Sequence, residues 1–370
     1  MQSILDQWQQ QVRAAAQARQ PLRLRGGGTK DWYGQNLQGE ILDTRALSGI
    51  VAYQASELVV TARCGTPLAE LEAALAAQGQ MLAFEPPHFA LGGQQATVGG
   101  MLAAGLAGPR RLASGGVRDY VLGVQMLDGR GQFLNFGGQV MKNVAGYDVA
   151  RMMAGAMGTL GIVLQASFKV LPCPEAQASL RFAMSQQESI LALNQWLSQA
   201  VPISASCWQE GELMVRLSGA RAAVQEAKAR LGGCLLDQVV ADAFWLALRE
   251  QHLPFFTEGA GLGTQLWRVA LPALAPALEF SGPQLIEWGG AQRWLQVKVG
   301  DGADAAAGTA TGLREQASAL GGHATLFRAA DKSVPVFQAP APALAALQNR
   351  VRACFDPARI FNPARIELGG

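Results

Sequence analysis

Hydrophobic residues in the first twenty positions recur at helical spacing. The apolar positions are Ile4, Leu5, Trp8 and Val12. This spacing places their side chains on one face of an amphipathic helix, and Pro21 predicts its end because proline cannot continue a helix. Short strand-like runs follow at Leu22–Arg25, Glu40–Asp43, Gly49–Tyr53 and Leu58–Arg63.

The pattern then predicts a second helix, an irregular stretch and a hairpin. The helix opens at Thr66, with Pro67 in its first turn, and runs to about Gln78. Residues 80–110 are rich in glycine and are expected to be irregular. The runs Tyr120–Leu127 and Phe133–Gly137 flank Asp128-Gly129-Arg130-Gly131, which is typical of a hairpin turn. A short helix near residue 151 and a strand over Gly161–Val170 complete this half.

After about residue 174, segments with helical and strand periodicity alternate. The predicted strands are 180–184, 203–209, 213–217, 265–270, 285–288, 294–299 and 323–328. The predicted helices are 186–199, 221–231, 273–280, 304–320 and 342–354. This order favours an antiparallel sheet with helices on one face, so this part is predicted to be an α+β domain. A chain of 370 residues is long enough for two domains at roughly 100–200 residues each.

Composition narrows the class of protein. Hydrophobic residues make up 49% and charged residues 16%, which is typical of a soluble globular protein. The net charge of +2 does not favour a nucleic-acid partner. The N-terminus lacks an apolar signal-peptide core, and glycines interrupt the uncharged run Phe89–Pro109, so we expect no membrane span and a cytoplasmic location. None of the five cysteines forms a Cys-x-x-Cys pair, so we expect neither a metal site nor an iron–sulfur cluster here.

The first candidate for chemistry is Arg25-Gly26-Gly27-Gly28-Thr29-Lys30, which follows a predicted strand. Consecutive glycines let backbone N–H groups converge on an anion, and the flanking arginine and lysine add positive charge for a diphosphate. Taken alone, the same run could be a flexible surface turn. It lacks the spacing of a P-loop or of a Rossmann fingerprint.

Further glycine-rich motifs follow in order. They are Ala96-Thr97-Val98-Gly99-Gly100, Ser114-Gly115-Gly116 with Arg118-Asp119, and Gly155-x-x-Gly158-Thr159-Leu160-Gly161-Ile162. Glycines with few large side chains suit a flat ring that lies against the backbone. Each motif alone could be a loop.

Together these motifs resemble the vanillyl-alcohol-oxidase/PCMH-type FAD-binding superfamily, and within it the FAD-binding E subunits of bacterial glycolate oxidase. The resemblance rests on RGGGTKDWYG at 25–34, FEPPHF at 84–89, ATVGGMLAAGLAGPRR at 96–111, KNVAGYD at 142–148, GTLGIV at 158–163 and FDPARIFNPAR at 355–365. It implies an α+β fold with a two-part PCMH-type FAD-binding domain (1–173), an antiparallel-sheet cap domain (174–353) and a tail (354–370) that returns to the FAD domain.

The resemblance also implies which residues contact FAD. The diphosphate loop is Arg25, Gly26, Gly27, Gly28, Thr29 and Lys30. The flavin and ribityl contacts, with a proline and the C-terminal asparagine, are Pro87, Thr97, Gly99, Gly100, Ser114, Gly115, Arg118, Asp119, Gly161, Ile162 and Asn362.

Three departures from the family pattern change the expected chemistry. Thr29 stands where some relatives carry a histidine bonded covalently to FAD, so we expect non-covalent FAD. Met157 replaces an acidic residue of the 2-hydroxyacid dehydrogenases. The histidine-rich cap segment of substrate-oxidising relatives is absent, and the chain's histidines are His88, His252 and His323.

Oxidation of a 2-hydroxyacid needs a base for the hydroxyl proton and a cation for the carboxylate. No histidine is an evident base. Lys142 and Tyr147 are candidates to approach the flavin, although we favour the interpretation that they support their loop by hydrogen bonds. The arginines that could hold the carboxylate are Arg151, Arg268 and Arg328, of which Arg268 is the preferred candidate.

The resemblance therefore implies a FAD-bearing subunit of a complex that oxidises glycolate to glyoxylate. The implied partners are a D subunit with a second FAD and the substrate site, and an F subunit with iron–sulfur clusters, at the inner face of the membrane through the complex. Because the substrate machinery is missing, we expect this flavin to relay electrons. Two alternatives stay open: an independent FAD-dependent dehydrogenase of another 2-hydroxyacid, and a structural subunit with a vestigial FAD site.

Overall fold

The computed structural model describes residues 2–138, 148–258, 263–278, 280, 282–298 and 303–366. The chain divides into two compact units. The N-terminal unit comprises Met1–Ala107, Gly116–Cys173 and Ala339–Gly370. The middle unit comprises Gly108–Gly115 and Pro174–Gln338. Among the described residues, no helix combines the length and apolarity that crossing a membrane requires.

Elements up to residue 173 alternate short helices with strands. The helices are α1 (Gln2–Ala18), α2 (Leu68–Ala76), α3 (Val98–Ala104), α4 (Arg111–Ser114) and α5 (Val117–Tyr120). The strands are β1 (Leu22–Arg25), β2 (Glu40–Asp43), β3 (Ile50–Gln54), β4 (Val59–Arg63), β5 (Gln80–Met81), β6 (Val121–Leu127), β7 (Phe133–Gly137), β8 (Ile162–Lys169) and β9 (Leu171–Pro172).

The sheets of the N-terminal unit hold its core. Strands β1 and β2 pair in parallel, and the part of the chain that the structure describes forms a five-stranded antiparallel sheet in the order β3-β4-β8-β6-β7. Helix α2 packs Leu68, Leu71 and Leu75 into this core, all fully buried, at the three- and four-residue spacing of one helical face. Burial of each such side chain contributes about 1.5–3 kcal/mol.

Helix α3 corrects the expectation that residues 80–110 are irregular. Thr97 caps it, since its side-chain oxygen accepts a hydrogen bond from the backbone N–H of Gly100 at 3.2 Å. Gly105 ends it in the left-handed conformation, with φ of 63°. The sequence contains the capping threonine and the terminal glycine, but the helix was not predicted because the glycines inside it have a low helix propensity.

The middle unit contains a larger antiparallel sheet. Its strands are β10 (Ala176–Ala183), β11 (Ile203–Gln209), β12 (Glu212–Gly219), β13 (Cys234–Leu235), β14 (Thr264–Ala270), β15 (Gln284–Glu287), β16 (Gln292–Lys298) and β17 (His323–Arg328). Its helices after β10 are α6 (Gln186–Ser198), α7 (Arg221–Leu231), α8 (Gln238–Arg249), α9 (Pro254–Thr257) and α10 (Ala303–Ala319). Helix α11 (Pro342–Phe355) follows in the N-terminal unit.

This sheet consists of two similar halves. Within the described residues its order is β13-β10-β12-β11-β15-β16-β14-β17. The first half contains β10–β13 and the second half β14–β17. When the strands of each half are numbered 1 to 4 along the chain, their order in the sheet is 4-1-3-2 in the first half and 2-3-1-4 in the second. The first half is a β-α-β-β-α-β unit of ferredoxin-like type. The halves join where Cys207 pairs with Glu287. The prediction of an α+β fold is confirmed.

One helix prediction in this unit was wrong. The described part of 273–280 is not helical, because Pro276 lacks the N–H that a helix needs at that point. The fully buried Arg293 instead donates hydrogen bonds to the carbonyl oxygens of Ala275 (2.6 Å), Pro276 (2.5 Å) and Gly290 (3.2 Å). Burial lowers the pKa of Arg293 to about 10. Helix α8, which begins at a capping Asp237, was not predicted.

Candidate functional site

A groove in the N-terminal unit brings together residues that lie far apart in the sequence. They fall within 24–31, 97–104, 153–163 and 362–365, with Leu37, Thr44 and Cys64 between these segments. The groove contains about 960 Å³ of space free of protein atoms, including part of the open solvent.

The Arg25–Lys30 loop forms one wall of the groove, and its glycines are sterically required. A Cβ on Gly27 would overlap the carbonyl group of Gln95, whose carbon lies 2.7 Å from the Cβ position. A Cβ on Gly26 would overlap the Thr97 hydroxyl. Gly28 has φ of +75°, a conformation that favours glycine. The loop is therefore tightly packed and not the flexible turn that the motif alone allowed.

Positive charge dominates the groove. Among the described residues that line it, Arg25, Lys30 and Arg365 are cations and Asp31 is the one carboxylate. Asp31 accepts hydrogen bonds from Arg23 at 2.5 Å and from Arg25 at 2.9 Å. Such an excess of cations beside backbone N–H groups suits an anion such as a diphosphate.

Several neighbouring groups position the ammonium of Lys30. Its Nζ donates to the carbonyl oxygen of His88 at 3.1 Å and to Oγ1 of Thr29 at 3.3 Å. The same ammonium lies 5.4 Å from the centre of the Phe89 ring. The ring and the two oxygen atoms fix the ammonium at the wall of the groove.

A second wall consists of small residues. Gly99 packs so closely that a Cβ there would lie 2.8 Å from Cβ of Cys64. Gly161 has φ of +148°, and its Cβ position lies 2.7 Å from the carbonyl oxygen of Leu127. Ala103 and Ala104 continue this wall. The glycines and alanines of this wall carry no side-chain atom beyond Cβ, which allows a flat ring to approach the backbone at these positions.

The Cys64 thiol beside this wall is buried and protonated, and it is therefore unreactive. It is buried, and its Sγ lies 3.9 Å from the carbonyl oxygen of Thr44. Burial raises its pKa to about 12, so the thiol is neutral at physiological pH.

The C-terminal turn closes the groove. The fully buried Asp356 accepts hydrogen bonds from the backbone N–H groups of Ile360 (3.0 Å) and Phe361 (2.8 Å). Burial raises the pKa of Asp356 despite these bonds. Asn362 then accepts from the N–H of Leu24 at 2.8 Å and donates to the carbonyl oxygen of Met157 at 2.7 Å. The turn thus connects two walls of the groove.

Most of the predicted cofactor residues line this groove. They are Arg25, Gly26, Gly27, Gly28, Thr29, Lys30, Thr97, Gly99, Gly100, Gly161, Ile162 and Asn362. The predicted residues that do not line it are Pro87, Ser114, Gly115, Arg118 and Asp119. Ser114 and Gly115 belong to the middle unit, and Asp119 accepts a hydrogen bond from the N–H of Gly116 at the start of α5.

None of the three catalytic candidates is found among the described residues that line the groove. Lys142 and Tyr147 lie outside the described residues. Arg268 lies on β14 of the middle unit, with its guanidinium 5.5 Å from the centre of the Phe327 ring. Among the described residues, no group of three or more histidine, cysteine, aspartate or glutamate side chains could hold a metal ion.

Some groove residues were not predicted. Cys64, Met157 and Arg365 are the main ones, and Met157 has φ of +51°, which is uncommon for a residue other than glycine. The only sequence signal for Arg365 was its position in the C-terminal Asn-Pro-Ala-Arg run.

Comparison with known proteins adds independent evidence. A family model described as "FAD binding domain" matches residues 5–137. The chain is 44% identical over 357 residues to "Glycolate oxidase subunit GlcE" of Escherichia coli, covering 96% of this chain and 95% of that protein.

More distant relatives match only part of the chain. The "D-lactate dehydrogenase" of Archaeoglobus fulgidus is 34% identical over 41% of this chain and 33% of its own length. The "Glycolate oxidase subunit GlcD" of Bacillus subtilis is 30% identical over 50% of this chain and 38% of its own length.

Among solved structures, an alkyldihydroxyacetonephosphate synthase superimposes with a TM-score of 0.67 and 14% identity. It covers 96% of this chain and 74% of that protein. This likeness concerns the fold alone.

Proposed function

The chain belongs to the family of the glycolate oxidase subunit GlcE, and we propose that it is the FAD-binding subunit of a glycolate-oxidising complex. It is a FAD-dependent oxidoreductase. The observation that carries the proposal is 44% identity over nearly the whole of both chains. An intact glycine cradle beside the cations Arg25 and Lys30 supports it, because a vestigial site would have no need of these close approaches.

The groove residues fit the two ends of FAD. We assign the diphosphate to the Arg25–Lys30 loop, where backbone N–H groups and two cations meet, and the flat ring system to the wall around Gly99 and Gly161. Bound FAD supplies two-electron redox chemistry. The chain's own residues hold and orient the cofactor, and Thr29 offers no imidazole for a covalent bond, which supports non-covalent binding.

We further propose that this flavin passes electrons to partner subunits and does not oxidise glycolate itself. The partners would be a subunit with a second FAD and the substrate site and a subunit with iron–sulfur clusters. The middle unit supports this view, because its sequence contains two histidines and no histidine-rich segment. His252 follows α8, and His323 begins β17.

Anaerobic reduction of the flavin tests the proposal. The chain purified alone should be yellow and should lose its visible flavin absorbance only slowly with glycolate. Co-expression with the two partner subunits should restore fast reduction. Acid precipitation should release the colour into the supernatant, as expected for non-covalent FAD. Fast reduction of the isolated chain by glycolate would refute the relay, and a colourless chain that still supports the complex would refute the cofactor role.

One observation favours a second candidate, an independent 2-hydroxyacid dehydrogenase. Partial burial and the charge of Arg268 lower the pKa of His323. A neutral imidazole can remove a hydroxyl proton and a guanidinium can bind a carboxylate, and oxidation of a 2-hydroxyacid requires both groups. A screen of 2-hydroxyacids for flavin bleaching in the isolated chain, repeated with Arg268→Gln, would separate this candidate from the relay.

A further inference from the structure

Arg365 is a buried cation that makes no ion pair in the described part of the chain. Only 5% of the residue is exposed, and it lines the groove. Its Nη1 donates to the carbonyl oxygens of Asp31 and Gln35, each at 3.0 Å, and its Nη2 donates to the carbonyl oxygen of Lys30 at 2.9 Å. Burial lowers its pKa to about 10, so the side chain remains charged at pH 7.

These bonds fix the segment that leads out of the diphosphate loop. The backbone of Arg365 adds a fourth bond, because its carbonyl oxygen accepts from the N–H of Gln35 at 3.2 Å. Gly34 turns with φ of +82°, and a Cβ there would lie 3.1 Å from Nε of Arg365. The guanidinium therefore fills the interior of the turn formed by residues 30–35.

The charge of Arg365 is not neutralised by these contacts. Three carbonyl dipoles satisfy three of its five N–H groups, and the nearby carboxylate of Asp31 is engaged by Arg23 and Arg25. A buried charge without a carboxylate partner is costly unless a ligand supplies the opposite charge. The positive potential is therefore available to an anion in the groove.

We propose that Arg365 is a positioning residue of the FAD diphosphate site, which sets the conformation of residues 30–35 and supplies positive charge to the groove. The proposal rests on the assignment of the Arg25–Lys30 loop to the diphosphate made above. It gives the C-terminal turn a role in cofactor affinity, in addition to its role in the fold.

The test compares ligands that represent the two ends of FAD. Affinities of ADP, riboflavin and FAD for the deflavinated full-length chain are measured by calorimetry for wild type, Arg365→Gln, Arg365→Lys and Lys30→Gln. Arg359→Gln is the matched control, because Arg359 is an exposed arginine of the same tail.

We expect Arg365→Gln to weaken ADP and FAD about 10- to 100-fold, the size expected for charge-assisted hydrogen bonds, and to leave riboflavin and the control unchanged. Arg365→Lys keeps the charge but not the planar fork, so its ADP affinity should be intermediate. If Arg365→Gln does not fold, Arg365→Lys with weaker ADP and unchanged riboflavin binding supports the proposal.

Equal weakening of ADP and riboflavin in either Arg365 variant would overturn it, since that result indicates a general loss of structure. Unchanged ADP affinity would overturn it as well. If Lys30→Gln weakens ADP while Arg365→Gln does not, only this inference fails. If neither changes ADP, or if wild type does not bind ADP, the diphosphate assignment fails with it.

Discussion

At the scale of single residues, Gly27 shows why the groove cannot accept ordinary side chains. The carbonyl group of Gln95 occupies the place of its Cβ, and both groups belong to backbone that cannot rotate away. We expect Gly27→Ala to displace the loop and to lower FAD affinity at least about 100-fold, since a misplaced loop loses several charge-assisted hydrogen bonds together. Flavin fluorescence during titration of the apoprotein measures this.

Gly308→Ala is the matched control for that substitution. Gly308 is an exposed residue of α10 with no atom near its Cβ position, so alanine should leave FAD affinity unchanged and raise stability by up to about 1 kcal/mol. Wild-type FAD affinity in Gly27→Ala would show that the loop does not contact the cofactor.

The burial of the cysteines predicts which thiols react in the folded protein. Cys173, Cys234 and Cys354 are exposed, whereas Cys64 and Cys207 are buried and burial raises the pKa of both. We expect three thiols to react rapidly with Ellman's reagent in the folded protein and all five in urea. More than three fast thiols would contradict the buried positions.

The raised pKa also affects stability. The ordinary thiol value is 9.0 and the value for folded Cys64 is about 12, so the folded chain retains a proton that the unfolded chain loses between these values. The contribution of Cys64 to stability is therefore complete below about pH 9 and decreases as the pH rises toward 12. Urea unfolding measures this effect. Between pH 8 and pH 10, the free energy of unfolding should decrease less for Cys64→Ala than for wild type.

At the scale of elements, helix α3 depends on its first residue. Thr97→Ala removes the hydrogen bond to the N–H of Gly100 and should lower the free energy of unfolding by about 1 kcal/mol. Thr97→Ser keeps the hydroxyl and should recover most of that loss. Urea titrations of the apoprotein measure both variants, and equal destabilisation would assign the effect to the methyl group.

The sequence was sufficient for elements with a clear period. Helix α2 and the hairpin β6–β7 were predicted because their apolar residues follow one period and end at turn residues. Helix α3 was missed because its glycines oppose helix formation locally, and the contact of Gly99 with Cys64 comes from residues distant in sequence. The helix predicted over 273–280 was wrong because Pro276 lacks a backbone N–H, and because Arg293, which lies outside that segment in the chain, binds the carbonyl groups of Ala275 and Pro276.

The parts of the candidate site that have a local sequence pattern were predicted, and the parts that depend on distant contacts were not. Runs of glycine identify backbone that approaches something closely, and so the loop at 25–30 was found. Arg365 makes its contacts more than 300 residues away in the sequence, and no local pattern indicates such bonds. The bonds to the carbonyl groups of residues 30–35, which support its proposed positioning role, exist only in the folded chain.

At the scale of the whole molecule, the groove is assembled from segments at both ends of the chain. The described residues that line it all belong to the N-terminal unit, although most of the middle unit, Pro174–Gln338, is inserted between residues 173 and 339. Cofactor binding should therefore slow amide hydrogen exchange at distant segments together, because one ligand would stabilise every segment it contacts.

Hydrogen exchange with mass spectrometry, with and without FAD, measures this linkage. We expect protection in peptides that cover 24–31, 97–104, 156–163 and 362–365, and none in β12, whose residues do not line the groove. Protection of the first three segments without the fourth would mean that the tail is a passive part of the fold. Protection of all four would mean that residues 362–365 take part in holding the cofactor, because a ligand stabilises the segments that it contacts.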